Sequence, residues 1–451
     1  MTQQKTSSPA GTVDRLYYPL LSIVSALALV FVWRKAVVLT PDYGSYVAHS
    51  IIRPPMLPLL LDLFSTLFGA AHLRAFSFFQ TLIMLWAAFT FAEALRKTYA
   101  TGKTAAALVF AALLSPIITQ NLGNAILTET LGYAFFLYAL GLVMGLLKEF
   151  HPRQLALLAA VIATGTLLRA QLAFLWAAYA VLCAYIFLRE KNLRAVKSGA
   201  VYLAAALLAV FLLRGAYNYV RHGAFAQLGP GMHLCADLVF VSEPQDVELF
   251  REKSYYSAAQ EIFSRMQQER LFAQNRLALE LPLATFSLQR AANIGQATSY
   301  PLYRYVCGSV PGEPGFPVSD GKPLLAMNDI QLDIYKTLRP LHYKDYIRLI
   351  ASRFTRNISL FELAMFALGL AWLLSSLRRA KPIAPLAELA VFAMFLNTLN
   401  IAAVSMVTYV IFRYTFYTQL LELAATIAIA DALLNDRLRV CADSPTTPPH
   451  A

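Results

Sequence analysis

The sequence predicts an all-α polytopic membrane protein, a bundle of about ten transmembrane helices with one large segment on the outer side. Three observations support this. The chain has 451 residues, of which 58% are hydrophobic and only 14% charged. Its apolar residues come in long uninterrupted runs, not in the interrupted stripes of a soluble core helix. Its Lys and Arg residues cluster in alternate short loops between those runs, the pattern expected of cytoplasmic loops.

Taken in order, the runs long enough to cross a hydrocarbon layer of about 30 Å are 16–33, 75–92, 104–119, 130–147, 154–168, 170–188, 198–213, 357–377, 382–411 and 415–430. The run at 382–411 is long enough to be bent or broken. With the N-terminus in the cytoplasm, "LRKTYATGK", "LKEFHPR", "LREKNLRAVK", "SLRRAKP" and "NDRLR" all fall on the cytoplasmic side. That bias also accounts for the net charge of +12 without any nucleic-acid partner. The polar tail "MTQQKTSSPAGTVDR" and the lack of a small-residue cleavage site after the first run point to an anchor helix, not a cleaved signal.

The expected organisation is an N-terminal transmembrane region at 1–218, with its first outer loop at 39–74. An outer segment at 219–356, a C-terminal transmembrane region at 357–436 and a cytoplasmic tail at 437–451 follow. Within the outer segment "DVELFREKSYYSAAQEIFSRMQQERLFAQNRLALE" is charge-dense with helical spacing, and "CGSVPGEPGFPVSDGKP" is a Gly/Pro loop.

The candidate site residues stand at the outer ends of the runs. Asp42, in "PDYGSY", can accept a proton from a hydroxyl or hold a divalent cation; equally, Asp is a favoured N-cap for the helix "YGSYVAHSII". Tyr46 follows in the same stretch. Arg53, before two prolines, is placed to aim a guanidinium at a phosphate or to snorkel to lipid headgroups. Glu129, in "ILTETLGY", is a functional candidate because an acid near a span is costly, or else an exposed first-turn acid, with Thr128 as a cap. Arg169, in "TGTLLRAQLAF", reads as a phosphate ligand or as the hinge of an outer turn. Arg413 and Tyr414 open the last run, and Arg34 and Lys35 close the first on the side where the charge rule expects few cations.

An aspartate in the first outer loop followed by tyrosine and "RPP", a Thr-Glu pair opening a later helix, an arginine closing the fifth and "RY" opening the last together resemble the GT-C superfamily of integral-membrane glycosyltransferases. That superfamily includes bacterial lipid A aminoarabinose transferases and protein O-mannosyltransferases. The chain departs from some members in carrying "DY" in place of paired acids, and "RAQ" in place of Arg-Pro. The resemblance implies a GT-C-like bundle in a bacterial inner membrane with both termini cytoplasmic. It further implies transfer of a sugar, with inversion, from a polyprenyl-phosphate donor to a hydroxyl on a lipid, glycan or protein. Asp42 would be the base, and Arg34, Lys35, Arg53, Arg169 or Arg413 the phosphate clamp, with a divalent metal as an open addition. A transporter or flippase of a lipid-linked intermediate, with the acids as coupling groups, is the alternative; internal repeats and mid-membrane ionisable residues would mark it.

Of the four cysteines, Cys183 lies in a span and Cys441 in the tail. Cys235 and Cys307 share the outer segment, where an oxidising compartment leads us to expect a disulfide; two unrelated buried thiols are the alternative.

Overall fold

In hydrocarbon a backbone satisfies its own amides only within a helix or a closed barrel, and the described residues of the ten apolar runs are almost entirely helical. The computed structural model describes residues 10–40, 42–226, 229, 231–273, 288–310, 321–379, 385–407 and 412–443, with the side chains of 412–414 and some other helix-end residues outside that description. The described residues form sixteen α-helices: α1 (Ala10–Arg34), α2 (Tyr43–Val47), α3 (Met56–Phe68), α4 (His72–Tyr99), α5 (Lys103–Thr119), α6 (Thr128–Lys148), α7 (Pro152–Leu168), α8 (Phe174–Glu190), α9 (Leu193–His222), α10 (Gly231–Val241), α11 (Tyr256–Gln268), α12 (Leu288–Cys307), α13 (Gly321–Asn357), α14 (Leu360–Arg378), α15 (Pro385–Val407) and α16 (Phe412–Asp443).

Among the described residues eight stretches are long and apolar enough to cross a membrane. The other two runs, α5 and α7, have 17 residues each and rise about 25 Å, slightly less than the hydrocarbon thickness. Around Phe91, Phe110, Phe136 and Tyr417, each at most 1% exposed, the inner helices share one apolar core. Only 6% of the spanning windows of α9 and α14 is buried, so these helices present Leu207, Leu208, Phe211, Leu368 and Trp372 outward as a lipid-facing periphery. The expected bend in 382–411 falls partly on residues 408–411, outside the described residues.

The first outer stretch, 39–74, is not a loop but carries α2 and α3. The run "MLPLLLDLFSTLF" is too short to span, yet it buries Leu57, Leu61 and Phe64 against Phe76, Leu131 and Leu168. The outer helices α10 to α13 build a second core around Phe250, Phe263, Phe272 and Leu338. Ile51, fully buried, inserts into it from the first outer stretch. Helix α10 lies close on α13: a β-carbon on Gly231 would stand 2.8 Å from the Asn328 carbonyl oxygen. Arg353 of α13 donates two hydrogen bonds of 2.6 and 2.7 Å to Asp237 of α10, and both residues are buried, so each charge is compensated where water cannot do it.

The expected Cys235–Cys307 disulfide is not formed. Cys235 is a free thiol with no exposure, enclosed by the outer core, and burial pushes its pKa up to about 12. Two cysteines in one segment do not specify the β-carbon approach that a bridge needs, and here the side chain serves packing.

One short backbone pairing ties the first outer stretch to the segment before α6. The Val38 amide donates to the Asn124 carbonyl at 2.9 Å, and the Ile126 amide donates to the Val38 carbonyl at 3.1 Å. Beneath it, fully buried Gln80 of α4 donates to the carbonyls of Leu122, Gly123 and Ala125 at 3.3, 2.9 and 3.0 Å. Ser77 Oγ donates to the Gly123 carbonyl at 2.6 Å. Gln80→Leu removes a donor shared by three buried carbonyls; those of Gly123 and Leu122 keep Ser77 and Thr130 as donors, while the Ala125 carbonyl loses its side-chain donor, and a buried polar group left unsatisfied costs about 1–3 kcal/mol. The purified variant is therefore expected to melt several degrees below wild type in detergent; an unchanged melting temperature would show that the turn is held by other groups.

Candidate functional site

A cavity of about 460 Å³ opens where the start of α6 and the end of α7 meet the stretch at 39–74 and α10. Five residues singled out in the sequence line it together: Asp42, Tyr46, Arg53, Glu129 and Arg169. Thr128, Gln171, His233, Phe174 and Val404 complete most of the wall.

The charged groups form two carboxylate–guanidinium pairs. Arg53 Nη2 lies 2.5 Å from Asp42 Oδ1, while Arg53 Nε donates to Ser45 Oγ at 2.7 Å. The Arg53 guanidinium also lies over the Tyr46 ring, 4.8 Å from its centre. In the second pair Arg169 Nη1 lies 3.1 Å from Glu129 Oε1, with 9% and 1% of the side chains exposed. The same Nη1 donates to Thr128 Oγ1 at 2.9 Å, and Nε and Nη2 both donate to Gln171 Oε1, at 3.0 and 2.8 Å. Tyr417 of α16 donates to the Glu129 carbonyl at 2.8 Å, closing this pair from the membrane side.

The local backbone accounts for these positions. Asp42 precedes α2 but makes no side-chain capping bond, so its carboxylate goes to Arg53. Glu129 lies in the first turn of α6 yet is 1% exposed, because the Val38 pairing folds the first outer stretch over it. Arg169 follows α7 in extended conformation (φ −147°, ψ 111°), which turns its guanidinium back across the end of α6. Nor does Thr128 cap α6, since the N-cap is Leu127 without a side-chain bond. His49 fixes the far side of α2, with Nδ1 2.8 Å from the Tyr217 hydroxyl and Nε2 3.1 Å from Asp62 Oδ1.

Arg34 and Lys35 do not line the cavity. Both are exposed at the end of α1, and the Lys35 ammonium lies 5.7 Å from the Phe31 ring centre. Cations at a helix end that snorkel in this way need no ligand. Arg413 and Tyr414 begin α16, and their side chains lie outside the described residues.

Two wall residues escaped the sequence reading. Gln171 was visible only as the third letter of "RAQ". His233 arrives from α10 with no motif around it. Burial holds its imidazole below the ordinary histidine range; Asp237 works against that shift and Arg353 adds to it. Burial likewise raises the Tyr46 phenol above its usual value, Arg53 opposing this while Glu129 and Asp42 reinforce it. Both groups therefore reach neutral pH uncharged. A divalent cation would compete with Arg53 and Arg169 for the same carboxylate oxygens, and among the described residues no group of three or more His, Cys, Asp or Glu side chains gathers.

Fold and site together define a multi-pass membrane protein, helical throughout its described spans, with a polar, charge-paired cavity at one end of its helices. No protein-family model matches the chain, and no curated protein matches it. Among solved structures the chain is similar to the crystal structure of ArnT from Cupriavidus metallidurans bound to undecaprenyl phosphate, at 14% identity and a TM-score of 0.35, over 94% of this chain and 78% of that one.

His233 supplies a test of the buried site. A histidine whose folded pKa lies below its unfolded value of about 6.5 stabilises the fold above that value, and the stability is lost as pH falls towards the folded pKa. The melting temperature is expected to drop between about pH 7 and pH 5, and to drop less in His233→Gln, which cannot charge. Identical pH dependence in the two proteins would show that the imidazole is not desolvated.

Proposed function

We propose that the chain is a membrane glycosyltransferase that moves a sugar, with inversion, from a polyprenyl-phosphate donor to a hydroxyl on a lipid, glycan or protein at the outer face of a bacterial inner membrane, both termini being cytoplasmic. The observation that carries this reading is the convergence of two guanidinium–carboxylate pairs on one cavity at the outer ends of membrane helices. A lipid-linked sugar phosphate needs such a place, with apolar surroundings for its tail, cations for its phosphate and a base beside the sugar.

In the reaction, an acceptor hydroxyl attacks the anomeric carbon as the bond from that carbon to the phosphate oxygen breaks. Asp42 takes the hydroxyl proton, its carboxylate held in one orientation by Arg53. Arg169 carries the charge that grows on the departing polyprenyl phosphate, and Glu129 and Gln171 keep its planar fork in place before substrate arrives. Arg413 and Tyr414 are assigned to the same phosphate from the resemblance. Arg53, the more exposed of the two guanidiniums, is assigned to orienting Asp42, whose carboxylate it contacts together with Ser45.

A membrane assay with radiolabelled polyprenyl-phosphate sugars tests this. Asp42→Asn keeps the shape and loses the basicity, so turnover should fall by about 10²-fold or more in protein that still inserts and melts normally. Arg169→Lys retains charge without the fork and should raise the apparent donor requirement roughly tenfold, the equivalent of about 1.5 kcal/mol for one charged hydrogen bond. Full turnover in the first variant, or an unchanged donor requirement in the second, contradicts the assignment.

A further inference from the structure

Helices α7 and α9 leave an apolar groove of about 380 Å³ between them, on the lipid-facing periphery that α9 provides. It runs from Ala156 to Leu167 along α7 and from Tyr202 to Leu213 along α9, about 17 Å of helix on either wall at 1.5 Å per residue. One leaflet's share of a hydrocarbon layer about 30 Å thick is about 15 Å. The groove is therefore as long as the acyl region of a single leaflet. It shares no lining residue with the charged cavity.

Apolar walls alone do not name an occupant; the residue that does is Arg214, next after Leu213 and the first charge beyond the apolar run 198–213. That places a guanidinium where the hydrocarbon ends, on the side of the membrane where α9 leads into α10 and the cavity. The side chain is half-buried, its Nε is buried without a hydrogen-bond partner, and among the described residues no hydrogen bond or ion pair reaches its guanidinium. Arg221, two turns further on, has the acid Asp62 at 3.0 Å. Tyr217 and Asn218, one turn on, are neutral and hydrogen-bond elsewhere, to His49 Nδ1 at 2.8 Å and to the Ala226 carbonyl at 2.5 Å. An arginine that merely snorkels carries its head out to water, whereas here Nε is sealed in. A cation so placed is costly without a counter-charge. Side chains on a helix lean towards its N-terminus, which carries Arg214 back over Val210, a wall residue of the groove.

We infer that the α7–α9 groove binds an anionic phospholipid of the leaflet on the cavity side, with one acyl chain along the groove and the phosphate on Arg214. Length, polarity and charge agree on this occupant: an apolar channel one leaflet long, headed at headgroup depth by an uncompensated guanidinium whose planar fork suits a phosphate. The inference stands apart from the glycosyltransferase reading, since neither the groove nor Arg214 lines the cavity.

The test reconstitutes the full chain with equal amounts of phosphatidylcholine and phosphatidylglycerol, strips loosely held lipid with detergent, and reads what stays bound by native mass spectrometry. Wild type should keep phosphatidylglycerol in preference to phosphatidylcholine. Arg214→Gln should lower that preference about tenfold, the loss of one charge-assisted hydrogen bond, and Arg214→Lys should recover part of it. Ala209→Phe fills the groove from an exposed position and should lower retention of both lipids, which keeps the inference open to decision if the charge variant inserts poorly. An unchanged preference in Arg214→Gln together with unchanged retention in Ala209→Phe overturns it. So does retention of undecaprenyl phosphate in place of phosphatidylglycerol when the two are supplied equally, or a lipid-free dimer that Ala209→Phe dissociates, results that would give the groove to the proposed donor or to a second copy of the chain.

Discussion

The site depends on the backbone pairing of Val38 with Asn124 and Ile126. These few hydrogen bonds join two segments more than eighty residues apart, the exit from α1 and the entry to α6, and so set Asp42 opposite Glu129. The pairing is possible because Gln80 and Ser77 of α4 hold the carbonyls of the turn at 122–125 from below. There is also no room for a side chain at Gly123, where a β-carbon would stand 2.5 Å from Val32 Cγ2. From this point outward the first stretch can lay α2 and α3 over the bundle and push Ile51 into the outer core, so one rigid junction couples membrane and outer regions at the cavity.

Electrostatics decides what such a cavity can hold. A single buried carboxylate or guanidinium at this depth carries a desolvation cost of several kcal/mol, and the fold meets it by pairing each acid with an arginine. The pairs are not equivalent. Asp42–Arg53 is partly exposed, with 30% and 23% of the side chains accessible, and is open to an incoming group. Glu129–Arg169 is almost sealed, and its guanidinium also donates to Thr128 and Gln171. A proton acceptor benefits from access and a phosphate ligand from rigidity, which is the division of roles adopted for Asp42 and Arg169.

Much of this could be read from residues alone, for physical reasons. Ten apolar runs stand out because a lipid-embedded helix tolerates few interruptions, and each contains a helix among its described residues. Asp42, Tyr46, Arg53, Glu129 and Arg169 stand out because charge beside an apolar run is unusual, and the structure gathers them in one cavity. What stays hidden is pairing. Nothing in "RPP" says that Arg53 turns back to Asp42, and nothing in "RAQ" says that the glutamine orients the arginine. Neutral polar residues such as Asn397, Asn400 and Thr418 look like ordinary members of a span, and nothing in the sequence says that they hydrogen-bond one another. Helix α3 was lost because thirteen apolar residues fall short of a span. The failed Cys235–Cys307 bridge reflects the same limit: proximity in three dimensions is not written in the spacing of one chain.

The most direct measurement of the central claim is a cryo-electron microscopy structure of the full chain in nanodiscs with a polyprenyl monophosphate. The expected result is density for the phosphate about 3 Å from the Arg169 guanidinium, inside the cavity walled by Asp42 and Glu129, with the isoprenoid chain leaving between helices. Phosphate density at any other place on the protein, with that cavity empty and both ion pairs undisturbed, would contradict it.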